Sequence, residues 1–172
     1  MSTISPSPRP AHRRASRRLR HHDYARDATY LVTVCTHRRQ RLFGVIADGV
    51  MVLSPAGQMV HDVLAGLGQH VPLVTVDAFV VMPDHVHAIF VIRQADCAAM
   101  SNDARPVGLA AVIGRFKTWT LHHYGMSVAA AGWPRYGGRL WHRNYHERIV
   151  WDLTSLPIVR RYIRQNPGKW RG

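Results

Sequence analysis

The stretch FVVMPDHVHAIF (79–90) sets two imidazoles, His85 and His87, two residues apart inside an apolar run. In a strand, residues i and i+2 project to one face, so the pair points one way while Val86 and Ala88 point the other. Two neutral imidazoles whose bases stand about 7 Å apart can converge on one divalent ion. Two ligands do not make a metal site, so a third must come from elsewhere in the chain. A pair of surface or hydrogen-bonded histidines fits the same spacing, and HxH alone leaves both readings open. The Met82-Pro83-Asp84 turn just before the pair puts it near one end of a sheet, where sites often open.

The elements that must position this pair follow from periodicity and turn residues. TYLVTVCTH (29–37) is β-branched and bounded by charge, so it predicts a strand. HRRQR (37–41) then places Arg38, Arg39 and Arg41 on a loop beside it. GVMVL (49–53) predicts a short strand. The segment 54–69 opens with Ser54 as N-cap and Pro55 at the first helical position, and Val60, Val63, Leu64 and Leu67 mark one helical face. Strands are expected over 73–83 and 85–93, and a polar loop over 94–106. Residues 107–125 form a second helix, with Leu109, Val112, Ile113 and Phe116 buried, Arg115, Lys117 and His122 free to face solvent, and Gly125 as its stop. A Gly-rich connection (126–139) and a short strand or irregular segment (140–151) precede a last helix (152–165) that ends before Asn166-Pro167. This order predicts an α+β sandwich, an antiparallel sheet covered by helices on one face.

Composition bounds the partner. The 172 residues suit one domain, residues 23–172, and 47% hydrophobic content supports a packed core. Lys plus Arg number 23 against 10 Asp plus Glu, a net charge of +13 and a pI near 11.1, which points to a polyanion, nucleic acid first. Residues 1–22 combine Ser, Pro and Arg with little apolar mass and predict a disordered basic arm, idle or phosphate-gripping. Cys35 and Cys97 form no CxxC pair and no disulfide framework, which argues against a zinc knuckle and fits a cytoplasmic location. No apolar run reaches the ~20 residues of a membrane span, and the N-terminus lacks the apolar core of a secretory signal, though its Arg-rich composition leaves a transit peptide open.

VVMPDHVHAIF resembles the MPNHVH signature of the single-tyrosine HUH transposases, where HUH stands for His, hydrophobe, His. Further segments agree in order. YLVTVCTHRRQRLFG is similar to the family's first strand and basic loop, LSPAGQMV to its first helix start, and IGRFKTWT to its second helix with the pair Phe116-Lys117. LWHRNYHERIV resembles its WQrnYyDhII segment and YIRQNPGKW its terminal YIxxNPxxW. The resemblance spans about residues 22–170 and is nearest the REP-associated tyrosine transposases. Asp84 stands where the family has Asn, His142 where it has Gln, and His146-Glu147 where it has Tyr-Asp.

The resemblance implies a ferredoxin-like, HUH-type fold whose C-terminal helix carries the nucleophile, and cleavage of single-stranded DNA by transesterification. Tyr162 matches the family nucleophile, with Tyr145 as rival. Asn166, four residues on and on the same helical face, would add an oxygen ligand beside His85 and His87. A phenol that ionises near pH 10 is a poor nucleophile unless the site helps it. Mg²⁺ or Mn²⁺ is the implied cofactor, and nitrogen ligands suit Mn²⁺ better. The implied partner is single-stranded or hairpin DNA, held by Arg38, Arg39, Arg41, Arg115, Lys117 and Arg143, with Trp119 and Trp141 able to stack bases or to pack in the core. Both monomers and helix-exchanging homodimers occur in the family. Two other classes compete: a domesticated hairpin-binding protein that does not cut, and a water-using phosphodiesterase that leaves no protein–DNA adduct.

Overall fold

β1 (Ala28–Cys35) alternates as a strand should, burying Tyr30, Val32 and Val34 on one side. In a computed structural model describing residues 27–93 and 107–171, this strand is the centre of a four-stranded sheet. The predicted basic arm (1–22) and polar loop (94–106) lie outside the described residues. β4 (Val74–Met82), β5 (His85–Ile92) and β6 (His146–Ile149) complete the sheet in the order β4-β5-β1-β6, with every neighbour antiparallel. β1 and β4 therefore run parallel with β5 between them, the split βαβ arrangement of a ferredoxin-like α+β fold. A separate hairpin of β2 (Gly44–Ala47) and β3 (Val50–Leu53) leads into the first helix.

α1 (Pro55–His70) starts as its sequence predicts: Ser54 Oγ accepts from the Gly57 N–H at 3.1 Å, and Pro55 occupies the first turn. Gly57 is required there. A Cβ at this position would lie 2.0 Å from the Phe43 carbonyl oxygen, which itself accepts the Ser54 N–H. α1 and α2 (Leu109–Ala131) pack on one face of the sheet. Val60, Leu64, Leu67, Val112, Ile113 and Phe116 meet Val86, Ala88 and Phe90 of β5 and Tyr30, Val32 and Val34 of β1 in one core. No helix among the described residues is long and apolar enough to cross a membrane.

Three expectations are corrected. α2 does not stop at Gly125 but runs to Ala131, where Gly132 takes the left-handed cap conformation at φ +65°. MSVAAA continues a helix readily, so one interior glycine does not end it. β2 is an additional strand, since no element is expected over residues 44–47. Its Val45 is 62% exposed, so the strand rests on its hairpin partner rather than on core burial. Thirdly, the sheet is covered on both faces. α3 (Leu156–Gln165) crosses the face opposite α1 and α2, over β4 and β5, where Met82, Ile89 and Ile163 are buried outside the main core. A β-bulge between Val76 and Ala78 frees Asp77, whose carboxylate takes Arg160 of α3 in a two-pronged pair, Nε to Oδ2 at 2.8 Å and a terminal nitrogen to Oδ1 at 2.5 Å.

Candidate active site

The register explains where the histidines go. On β5, Val86, Ala88 and Phe90 face the helical core, so His85 and His87 face the other side, beneath α3. Both are buried. Their Nε2 atoms converge to 3.0 Å, with the rings nearly perpendicular. Each Nδ1 has its own partner. His85 Nδ1–H donates to Asp84 Oδ1 at 2.6 Å, and His87 Nδ1 lies 2.8 Å from the Thr33 hydroxyl, its neighbour across the β1–β5 pairing.

These contacts dictate tautomers. A carboxylate only accepts, so His85 carries its proton on Nδ1 and presents a lone pair at Nε2. The Thr33 hydroxyl can accept from His87 or donate to it. In one arrangement His87 donates Nε2–H to His85; in the other both Nε2 lone pairs face a common point. Burial lowers the His87 pKa to about 4, with the charges of His85 and Arg39 adding to the effect. Burial lowers His85 too, although Asp84 opposes it. Both rings are therefore neutral at pH 7, the form that binds metal.

The pair fits a divalent ion. Two ligands at about 2.1 Å and at right angles are separated by about 3.0 Å, the spacing of adjacent vertices of an octahedron. The Nδ1 partners are of the kind that orient metal-bound imidazoles. Among the described residues no group of three or more His, Cys, Asp or Glu is arranged for a metal, so further ligands would be other oxygens.

The terminal segment lies over the pair. The Tyr162 ring meets His87 edge-on with centroids 5.6 Å apart, and the Trp170 ring lies 5.4 Å from His85. Tyr162 remains 42% exposed, open to a large substrate. Asn166 caps α3 between these two contacts in the chain, on the Tyr162 face. Among the described residues no hydrogen bond joins its side chain to either imidazole. Tyr145 is elsewhere: its ring lies 5.7 Å from the Lys117 ammonium, beside the β6 edge.

The basic residues divide by what already holds them. Arg38, Arg41, Arg115 and Arg143 are exposed. The first two lie on the loop after β1, at the end of the sheet where β5 begins with His85, since Thr36 bonds the Asp84 carbonyl through both its N–H (2.9 Å) and its hydroxyl (3.0 Å). Arg39 is on the same loop, but its Nε pairs with Asp84 Oδ2 at 3.0 Å. Lys117 is spent on structure. Its ammonium donates to the carbonyls of His142, Arg143 and Asn144 at 2.9, 3.2 and 3.4 Å, which uses all three donors, and burial pulls its pKa down to about 8. It fixes the loop that carries Arg143 rather than offering a free cation. Trp141 is core, wedged between Phe43 and Phe116 with Nε1–H on the Thr120 hydroxyl at 2.8 Å. Trp119 stands by His70 in the helical layer, across the sheet from the histidines. Neither tryptophan is placed to stack a base at this site. Thr33, Asp84 as an orienting group, Arg39 as its partner and Trp170 are the residues that sequence reasoning missed; only the identity of Asp84 drew attention to one of them.

No family model matches the chain. An uncharacterized protein of Haemophilus influenzae is 28% identical over 173 residues, covering 92% of this chain and 91% of the other. Among solved structures, a REP-associated tyrosine transposase bound to a REP hairpin superposes with a TM-score of 0.59 at 19% identity, over 90% of this chain and 74% of that one. A candidate transposase of Deinococcus radiodurans gives 0.49 at 18% identity, over 87% and 98%. The chain has the α+β fold of the tyrosine transposase, with its antiparallel sheet and packed helices.

Proposed function

We propose that this protein is a transposase-type enzyme of the single-tyrosine HUH class that cuts and rejoins single-stranded DNA at a hairpin-associated site. The observation that carries the reading is the convergence of His85 Nε2 and His87 Nε2 to 3.0 Å, with the Tyr162 ring edge-on to His87 at 5.6 Å between centroids. The fold shared with a transposase solved on a REP hairpin supports the substrate class, as does the +13 charge.

In this mechanism the Tyr162 hydroxyl attacks a backbone phosphorus. The Tyr–O–P bond forms as the P–O3′ bond breaks; the phenol gives up its proton and the departing 3′ oxygen takes one up. The 5′-phosphotyrosine keeps the bond energy, so a different 3′-hydroxyl can reverse the step and no nucleotide cofactor is needed. His85 and His87, with Asn166, would hold Mg²⁺ or Mn²⁺. When bound, the ion supplies polarisation of the scissile phosphate and stabilises the departing oxygen. Arg38 and Arg41 would grip the strand at the same end of the sheet, and Arg143 and Arg115 would contact it further out. The Tyr162 and His87 rings of one chain lie 5.6 Å apart, which supports chemistry within a single subunit.

The test is incubation with single-stranded hairpin DNA and Mn²⁺, followed by denaturing electrophoresis. A denaturation-resistant protein–DNA adduct is expected. Cleavage without an adduct would move the assignment to a water-using phosphodiesterase, and binding without cleavage to a non-cutting hairpin protein.

A further inference from the structure

Arg39 differs from the arginines beside it. It and Arg38 both hold left-handed backbone conformations at φ 56°, a strained state for residues that carry a Cβ. The turn is closed by the Thr36 hydroxyl, whose one proton is shared between the Gln40 carbonyl at 2.8 Å and the Asp84 carbonyl at 3.0 Å, and by Gln40 Nε2 donating to the His37 carbonyl at 2.8 Å, while Gln40 Oε1 accepts from the Gly137 N–H at 3.0 Å. The result folds Arg39 back over the end of β1. Its Nε meets Asp84 Oδ2 at 3.0 Å, and a terminal nitrogen donates to Cys35 Sγ at 2.9 Å.

Asp84 is thereby used at both oxygens, Oδ1 by the His85 N–H and Oδ2 by Arg39, with only 5% of its side chain exposed. We propose that Arg39 is a positioning residue for the metal ligand His85, acting through Asp84, and that arginine and aspartate are a matched pair. This rests on the metal-site reading above. An asparagine at 84 could accept from His85 with its carbonyl, but its amide N–H₂ would then face the guanidinium, donor against donor. The carboxylate satisfies both neighbours. Conversely, without Arg39 the buried Oδ2 has lost its partner, and a carboxylate in that position gains by turning toward water. The His85 ring would then lose the hydrogen bond that aims Nε2 at His87. The arginine of the basic loop therefore fixes the angle of a metal ligand, whereas its neighbours Arg38 and Arg41 face solvent.

The experiment measures Mn²⁺ binding to the full DNA-free chain by electron paramagnetic resonance, and hairpin binding in EDTA. Loss of such an orienting contact weakens metal affinity about 10- to 100-fold. Arg39→Ala is expected to show that loss while binding the metal-free hairpin within about twofold of the parent. Arg38→Ala should do the reverse. The deciding variant is the double change Arg39→Ala with Asp84→Asn. Asparagine needs no guanidinium, so Mn²⁺ affinity should recover most of what Arg39→Ala alone loses, which a merely unfolded protein would not do. Unchanged Mn²⁺ affinity in Arg39→Ala, or a double variant no better than the single, overturns the proposal. If His85→Ala binds Mn²⁺ as well as the parent does, the metal site itself is wrong; if it does not, a failure at Arg39 concerns this inference alone.

Discussion

Replacing His87 by Gln should flatten the acid side of the stability curve. The native ring has its pKa lowered from 6.5 to about 4, chiefly by burial. Between these values the unfolded chain takes up a proton at His87 that the native protein does not. The unfolded state binds more protons there, so stability rises with pH across the window and is lost as pH falls through it. Below about pH 4 both states are protonated and the loss levels off. The interval of about 2.5 pH units, at about 1.4 kcal/mol each, corresponds to roughly 3.5 kcal/mol in full. His85 is lowered by the same burial and adds in the same direction. Gln cannot titrate, yet keeps a group that can bond Thr33, so the variant should lose less stability on acidification. The assay is urea unfolding at half-unit steps from pH 7.5 to 4 in EDTA, compared as a difference between the two proteins so that common carboxylate titrations cancel. Parallel curves would refute the claim that His87 is buried in its neutral form.

Tyr162→Phe removes one oxygen and keeps the ring, so folding should survive while the covalent adduct vanishes; an adduct that persists, mapped by mass spectrometry to Tyr145, would show the wrong tyrosine was chosen. Asn166→Ala keeps the nucleophile, and its cleavage should fall and recover partly at high Mn²⁺, which a titration of rate against Mn²⁺ would reveal. Gly57→Ala drives a Cβ to 2.0 Å from the Phe43 carbonyl oxygen and should cost about 1–3 kcal/mol by urea unfolding. Arg160→Ala frees α3 from Asp77 and should lower the cleavage rate with hairpin affinity unchanged; a loss of affinity alone would make Arg160 a DNA contact. Deleting residues 1–22 removes five arginines at positions 13–20 and should make the salt dependence of binding shallower, by up to about 4 in log–log slope, while an unchanged slope would show these residues to be idle.

Local rules carried the elements whose determinants are local. The cap at Ser54 needs only the residues after it, and the period of two fixes that His85 and His87 share a face. Which face was not local information. α3 declares an apolar side through Leu156 and Ile163, but nothing in its sequence says that this side meets the sheet surface opposite α1 and α2. Thr33 became a partner of His87 only through the β1–β5 register, 54 residues apart in the chain. Trp141 was open between base stacking and core packing for the same reason: both fates suit the side chain, and the choice was made by Phe43 and Phe116.

Charge was the least legible feature, because a cation's use depends on how many donors remain after folding. An ammonium has three N–H donors in one compact head, and the carbonyls of His142, Arg143 and Asn144 take all of them from Lys117. A guanidinium has five in a planar fork. Arg39 can therefore hold Asp84 through Nε and Cys35 through one terminal nitrogen and, at 53% side-chain exposure, still turn N–H groups toward solvent. Holding Asp84 and Cys35 at once requires the fork, so Arg39→Lys, which preserves the charge, should behave in Mn²⁺ binding like the alanine variant rather than like the parent.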